Sequence, residues 1–269
     1  MVTPTANNQP VMGSNNTSKT PRPKPIKHTA NVFFSAQNII YYPHSLLYYI
    51  NFLIKGDTMD HNKIVEMIEI LNKTYPDAKC SLDFKEPFEL VVAVMLSAQC
   101  TDERVNKTTP AIFAKYSTPY DFANIDIAEL ENLIHSCGFY KNKAKNIKDC
   151  ANKIITDFGG TVPQTMEELI NLPGVGRKSA NVILLEVFGI AKGIAVDTHA
   201  KRISNLIGLS SEASPEKIEK DLLQKIPSEY WKDVNHLLIW HGRNICVARN
   251  PKCDICPVKT FCKYAMSRV

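Results

Sequence analysis

Four cysteines, Cys246, Cys253, Cys256 and Cys262, follow one another as C-x6-C-x2-C-x5-C within 17 residues. Thiols this crowded suit metal ligation in a reducing compartment better than a disulfide scaffold. A four-cysteine site holds either tetrahedral zinc or a [4Fe-4S] cluster, and spacing alone does not decide between them. The loop between the first two ligands presents Arg249 and Lys252. Ligation would fix that loop and turn two flexible cations into a phosphate-facing surface; a charged loop that merely solubilises the site is the alternative. Cys80, Cys100, Cys137 and Cys150 lie among apolar residues and are expected as buried thiols.

A second constellation surrounds Leu172-Pro173-Gly174-Val175-Gly176. Pro173 fixes φ and ends the preceding helix, while Gly174 and Gly176 permit conformations and close approaches that a Cβ would block. Leu172 and Val175 are assigned to packing the turn onto its own helices. Main-chain N–H groups at the start of the next helix are then free to hold a phosphate, without reading sequence. A tight corner with glycines for geometry alone is the competing reading. Lys178 follows in the first turn of that helix, where the positive dipole end disfavours a second positive charge and should lower its pKa, the more so if it is partly buried. A neutral amine is what nucleophilic attack and Schiff-base formation require; an exposed lysine on the same phosphate is the plainer possibility. Further on, Asp197 ends an apolar run from Ile194 and is placed to cap a helix beginning near Thr198, from where its carboxylate could also stand opposite Lys178.

The elements that must position these groups read as helices throughout. Apolar residues recur at three- and four-residue spacing after Met59, with no convincing alternating strand, so the fold class is all-α. Ile64, Met67, Ile68 and Leu71 form one stripe. Phe88, Leu90, Val91, Val94 and Met95 belong to a helix apolar nearly all round, as at the centre of a bundle. A third helix carries Ala144, Ile147, Ala151, Ile154 and Phe158 on one face and stops at Gly159-Gly160. Thr165 with Glu168 makes a capping-box pattern before a short helix that must end ahead of Pro173. The helix bearing Lys178 is predicted from about Arg177 to Phe188, ending at Gly189. Ser214-Pro215-Glu216 reads as another helix start.

The 269 residues, 44% of them hydrophobic, suffice for one large core or two modest ones. Residues 1–56 hold five basic residues and no acid, which leaves 27 basic and 27 acidic residues in 57–269. The body is therefore neutral, and affinity for nucleic acid must come from a local basic face. The first 30 or so residues cannot bury enough surface to fold. From Val32 to Ile54 the chain turns aromatic and aliphatic, but Pro43-His44-Ser45 interrupts it short of the roughly 20 residues a membrane span needs. This leader reads either as an organellar transit segment or as a dispensable extension before a true start at Met59.

In order, Leu96-Ser97-Ala98-Gln99-Cys100-Thr101-Asp102, Gly138-Phe139-Tyr140-Lys141-Asn142-Lys143-Ala144, Leu172-Pro173-Gly174-Val175-Gly176-Arg177-Lys178, Val196-Asp197-Thr198-His199 and the cysteine spacing closely resemble the endonuclease III family. The likeness spans about residues 59–269. It implies two helical lobes with a DNA-binding cleft between them: a six-helix barrel over 80–191 containing a helix-hairpin-helix at about 165–188, and an iron–sulfur lobe from 59–79 and 192–269, with 1–58 as an N-terminal extension. It makes the cofactor a [4Fe-4S] cluster and the hairpin residues Gly174, Val175 and Gly176 a phosphate clamp. It further implies removal of oxidised pyrimidines, with Lys178 attacking C1′ and then cleaving the strand 3′ to the lesion by β-elimination while Asp197 assists. Because the damaged nucleotide must leave the stack, Gln99 matches the residue that fills the gap, and Phe139 stands where a leucine wedge is usual. Phe139 as a core residue is the alternative. Lys141, Lys143 and Lys145 are placed near phosphates, and His199 near the site, either on DNA or in a structural hydrogen bond.

The partner so implied is double-stranded DNA carrying damaged bases or abasic sites, met by a monomer without a membrane. The setting is cytoplasmic and nucleoid-associated in a bacterium, with organellar targeting by the leader as the alternative. Two rival functions are a monofunctional adenine or mismatch glycosylase and a non-catalytic DNA-binding iron–sulfur protein. Lys178 argues against the first, as does the expectation that no recognition domain follows Val269. The pair Lys178 and Asp197 argues against the second.

Overall fold

The computed structural model describes residues 59–268, and the expectations for the leader lie outside them. Twelve α-helices and no strand occur among the described residues, as the all-α reading requires. They are α1 (His61–Thr74), α2 (Pro87–Ser97), α3 (Asp102–Phe113), α4 (Pro119–Asn124), α5 (Ile127–Leu133), α6 (Tyr140–Phe158), α7 (Met166–Ile170), α8 (Arg177–Phe188), α9 (Thr198–Ile207), α10 (Pro215–Lys225), α11 (Trp231–Asn244) and α12 (Lys263–Met266).

Two hydrophobic cores are present. One runs from Leu82 to Leu184 and is centred on α2, whose Leu90, Val91, Val92, Ala93 and Leu96 are fully buried. That helix starts where Pro87 fixes the first turn and the buried Glu89 carboxylate accepts from the Lys85 and Glu86 N–H groups at 2.7 and 3.2 Å. Truncating Leu96 to alanine at its centre would cost about 2–5 kcal/mol. The other core joins the Ile64, Met67, Ile68 and Leu71 stripe of α1 to apolar faces of α9, α10, α11 and α12. Helix ends fall where glycine can turn left-handed: α6 stops at Gly159 (φ 60°) and α8 at Gly189 (φ 67°).

Three polar ties join elements of the two cores. Glu219 on α10 accepts from Arg177 at the start of α8, at 2.7 Å from Nε and 3.3 Å from Nη2. His236 on α11 lies 2.7 Å from Glu186 on α8. Arg243 on α11 reaches Asp102 at the start of α3 at 2.8 Å, where Ser81 also donates to the carboxylate at 2.6 Å. One local expectation needs correction. Cys137 and Cys150 are buried but Cys80 and Cys100 only partly so. Ser214 donates its hydroxyl to Glu216 instead of accepting from a helical amide.

Candidate active site

The hairpin is assembled from short-range bonds. Thr165 Oγ1 accepts from Glu168 N at 3.2 Å to start α7, and Val175 N donates to Leu172 O at 3.1 Å to close the turn. Leu172 and Val175 are buried beneath it. Gly174 sits at φ 79°, a left-handed conformation that favours glycine, and a Cβ there would also displace the end of the Met95 side chain, whose Cε lies 2.6 Å away. Gly176 is different: its φ is −92° and no protein atom lies within 4 Å of a Cβ placed there. Gly176 supplies no side-chain cap, so the first amides of α8 are left for an outside acceptor.

Lys178 stands in that first turn, exposed and without an ion-pair or hydrogen-bond partner among the described residues. The burial considered for it is not present in the free protein. Its neighbour Arg177 is occupied by Glu219, a contact that raises the Arg177 pKa further. Lys178 is thus the cation beside the hairpin that remains available. Asp197 does cap α9: its Oδ1 accepts from Ala200 N at 2.7 Å, and Oδ2 has no partner among the described residues. One carboxylate oxygen thus holds the side chain in place. His199, half-buried, lies 3.4 Å by Nδ1 from Arg202 Nη2 and faces Gly242 of α11. Burial holds its pKa below the usual histidine value, helped by Arg202 and Arg243 and opposed by Asp197.

Gln99 and Phe139 are both exposed and both left-handed, at φ 55° and 46°. Such a backbone is uncommon for any residue with a Cβ and an outlier for one as bulky as phenylalanine, costing of order 1–3 kcal/mol. Phe139 is 66% exposed, which removes the core-packing alternative. Lys143 is 7% exposed, donating to the Leu96 and Cys137 carbonyls, and so is not available to a phosphate. Lys145 pairs with Asp149 on its own helix, and Lys141 is exposed.

All four cysteines Cys246, Cys253, Cys256 and Cys262 line one cavity, walled by Leu206 and His241 among others. Among the described residues no three Cys, His, Asp or Glu side chains converge as a single-ion site; the four sulfurs ring the cavity instead. Burial pushes the Cys246 thiol up to about 11 and raises Cys256. Thiols in such surroundings become thiolates only when a cationic group joins them, which fits a metal cluster held by four sulfurs. His241 supports the ring from behind, with Nε2 3.6 Å from Cys256 Sγ and Nδ1 3.0 Å from the Tyr75 hydroxyl. Arg249 and Lys252, on the loop between the first two cysteines, are exposed.

Residues 92–228 match the HhH-GPD superfamily of base excision DNA repair proteins, and residues 246–262 match the iron–sulfur binding domain of endonuclease III. Endonuclease III of Synechocystis sp. is 50% identical over 215 residues, covering 80% of this chain and 98% of that protein. The chain belongs to the endonuclease III family. Solved endonuclease III structures, one a non-covalent DNA complex and one a trapped covalent intermediate with DNA, each have a TM-score of 0.74 at 42% identity and cover 78% of this chain and 99% of theirs. As a member of this family the protein is a bifunctional base-excision DNA glycosylase and AP lyase carrying a [4Fe-4S] cluster. Among the described residues no helix is long and apolar enough to cross a membrane.

Two residues escape the sequence: Glu219 and His241 act on partners 42 and 166 positions away, which no local pattern reveals. A third, Lys143, is misassigned to phosphates, although it left a signal: it shares the three- and four-residue spacing of Ile147, Ala151 and Ile154, the buried face of α6.

Proposed function

We propose that Lys178 is the nucleophile with which this enzyme removes oxidised pyrimidines from duplex DNA. The observation that carries the assignment is the unpartnered Lys178 amine in the first turn of α8, beside an Arg177 already engaged by Glu219. The amine lone pair forms a bond to C1′ as the glycosidic bond breaks, and the base leaves with the electrons of the glycosidic bond and takes up a proton. The bound nitrogen loses a proton and forms a double bond to C1′ as the C1′–O4′ bond breaks and O4′ takes up a proton, which opens the sugar to a Schiff base. Removal of a C2′ proton then expels the 3′ phosphate, giving β-elimination. Asp197, held by Ala200 N through one oxygen, stabilises developing positive charge or relays protons through the other.

The amides after Gly174, Val175 and Gly176 hold a phosphate near the lesion, while Gln99 and Phe139 occupy the space the extruded nucleotide leaves. DNA lies in the cleft between a barrel lobe, 80–191, and a cluster lobe, 59–79 with 192–269, with His199, Arg249 and Lys252 on its second wall. Two separate hydrophobic cores support that division. The cluster, bound by Cys246, Cys253, Cys256 and Cys262, supplies structure: it fixes the loop bearing Arg249 and Lys252. The protein acts as a monomer on the chromosome.

Borohydride trapping on duplex DNA containing an oxidised thymine tests this directly. A covalent adduct is expected from the parent protein and none from Lys178→Ala, which should still bind the DNA. An undiminished adduct in that variant would remove Lys178 from its role.

A further inference from the structure

The buried Lys143 ammonium has an unusual set of partners. Buried lysines are ordinarily paired with a carboxylate. Here Nζ donates to Leu96 O at 2.7 Å and to Cys137 O at 2.8 Å, with no acid in contact. Leu96 O belongs to the last turn of α2, and Cys137 ends a 3-10 turn over His135–Cys137. Both acceptors are therefore carbonyls at helix C-termini, where the partial negative charge compensates a cation without a counter-ion. Three residues after Leu96 comes Gln99, and two residues after Cys137 comes Phe139, the two exposed left-handed residues. Lys143 also donates its backbone N–H to Phe139 O at 3.1 Å. A methionine would fill the same volume without the cost of burying an ammonium. What it would not do is join the roots of two strained loops that lie far apart in sequence.

We propose that Lys143 is a positioning residue for base extrusion, clamping the Gln99 and Phe139 loops at one fixed separation so that both side chains enter the DNA stack as a unit. This rests on the reading that Gln99 and Phe139 fill the vacated space. Without the clamp each loop relaxes from its left-handed conformation, and the pair no longer matches the gap in the duplex. The chemistry at C1′ is made by other residues and needs the clamp only when a paired nucleotide must first be extruded.

The test compares two substrates under single-turnover conditions, using the full chain with its cluster. One is an oxidised thymine paired with adenine in a duplex. The other is an abasic site in single-stranded DNA, where nothing has to be unpaired. Lys143→Met is expected to slow excision from the duplex by about tenfold or more, a misplacement effect of ordinary size, and to change single-strand cleavage by no more than about a third of that factor. Lys143→Gln, which keeps a shorter donor, should fall between. Fluorescence of 2-aminopurine placed opposite the lesion reads the insertion itself, and its response should weaken in step with the duplex rate.

Equal loss on both substrates, or no loss on either, would overturn the clamp. So would failure of both Lys143 variants to yield folded protein, since that would assign the lysine to folding alone. Gln99→Ala and Phe139→Ala separate the two levels of the reading. If neither slows duplex excision, the gap-filling assignment itself is wrong; if they do and Lys143→Met does not, only the clamp fails.

Discussion

Replacing Glu219 by alanine should loosen the start of α8 against the second core. Glu219 is 5% exposed and accepts from Arg177 Nε at 2.7 Å, Arg177 Nη2 at 3.3 Å and Asn181 Nδ2 at 2.8 Å. Removing one partner of a buried ion pair typically costs about 3–5 kcal/mol. The Arg177 side chain is 47% exposed, so water can recover much of its share, and the pair term is discounted accordingly. The Asn181 amide cannot be rescued in this way: it is buried, and its Oδ1 already lacks a partner. A stranded buried donor costs about 1–3 kcal/mol. Together these give a loss of about 3 kcal/mol for Glu219→Ala, and about 1 kcal/mol for Glu219→Gln, which keeps the volume and an acceptor. With a urea slope of about 2 kcal/mol per molar, the alanine variant's midpoint should fall by about 1.5 M. Abasic-site cleavage per folded molecule should fall with it, because Arg177 adjoins Lys178. A double-mutant cycle with Arg177→Ala should return a coupling of about 1–2 kcal/mol. A midpoint shift of only about 0.3 M, within extrapolation error, together with additivity of the two substitutions, would show that this tie does not hold the start of α8.

Gly242→Ala would place a Cβ 2.6 Å from His199 Nδ1 and 3.0 Å from Ile203 Cδ1, forcing α11 away from α9. A stability loss of about 1–3 kcal/mol is expected in denaturant titration, despite alanine's better helix propensity. Cys262→Ser should abolish the visible absorbance of the purified protein and lower its thermal midpoint, since ligand loss removes cluster binding energy from folding. The Asp121 carboxylate accepts from Thr118 and Ser117, and the Thr118 N–H foremost holds its pKa below the usual value. Its contribution to stability is therefore complete above about pH 4, the unfolded value, and is lost as pH falls through the lower folded one. Asp121→Asn should be less stable than the parent at pH 7, with the difference closing in acid unfolding below that range.

What could be read from the chain was whatever depends on neighbours in sequence. The bounds of α8 follow from Gly176 before it, Gly189 after it and apolar spacing between. The Asp197 cap follows from an aspartate directly before Thr198, and the cysteine ring from four thiols in one short segment. What could not be read depends on groups brought together from a distance. Lys143 stands among Lys141 and Lys145, and charge alone groups the three together. Only the periodicity of α6 separates the inward one. Phe139 takes a backbone conformation that its own type disfavours, so no propensity foretells it. Glu219 lies on a helix whose acid and lysine content reads as solvated surface, and its arginine belongs to another core.

The division of the cores has a consequence for how the molecule is made. The residues of the first core, Leu82 to Leu184, are contiguous and can close while the rest of the chain is still being synthesised. The second core cannot, because α1 must wait for α9 to α12, and Tyr75 meets His241 across 166 residues. Until then the apolar stripe of α1 has no lasting partner. The last of the four clustered cysteines, Cys262, packs in the same core that encloses the first helix to emerge among the described residues, so the two ends of the described chain close that core together.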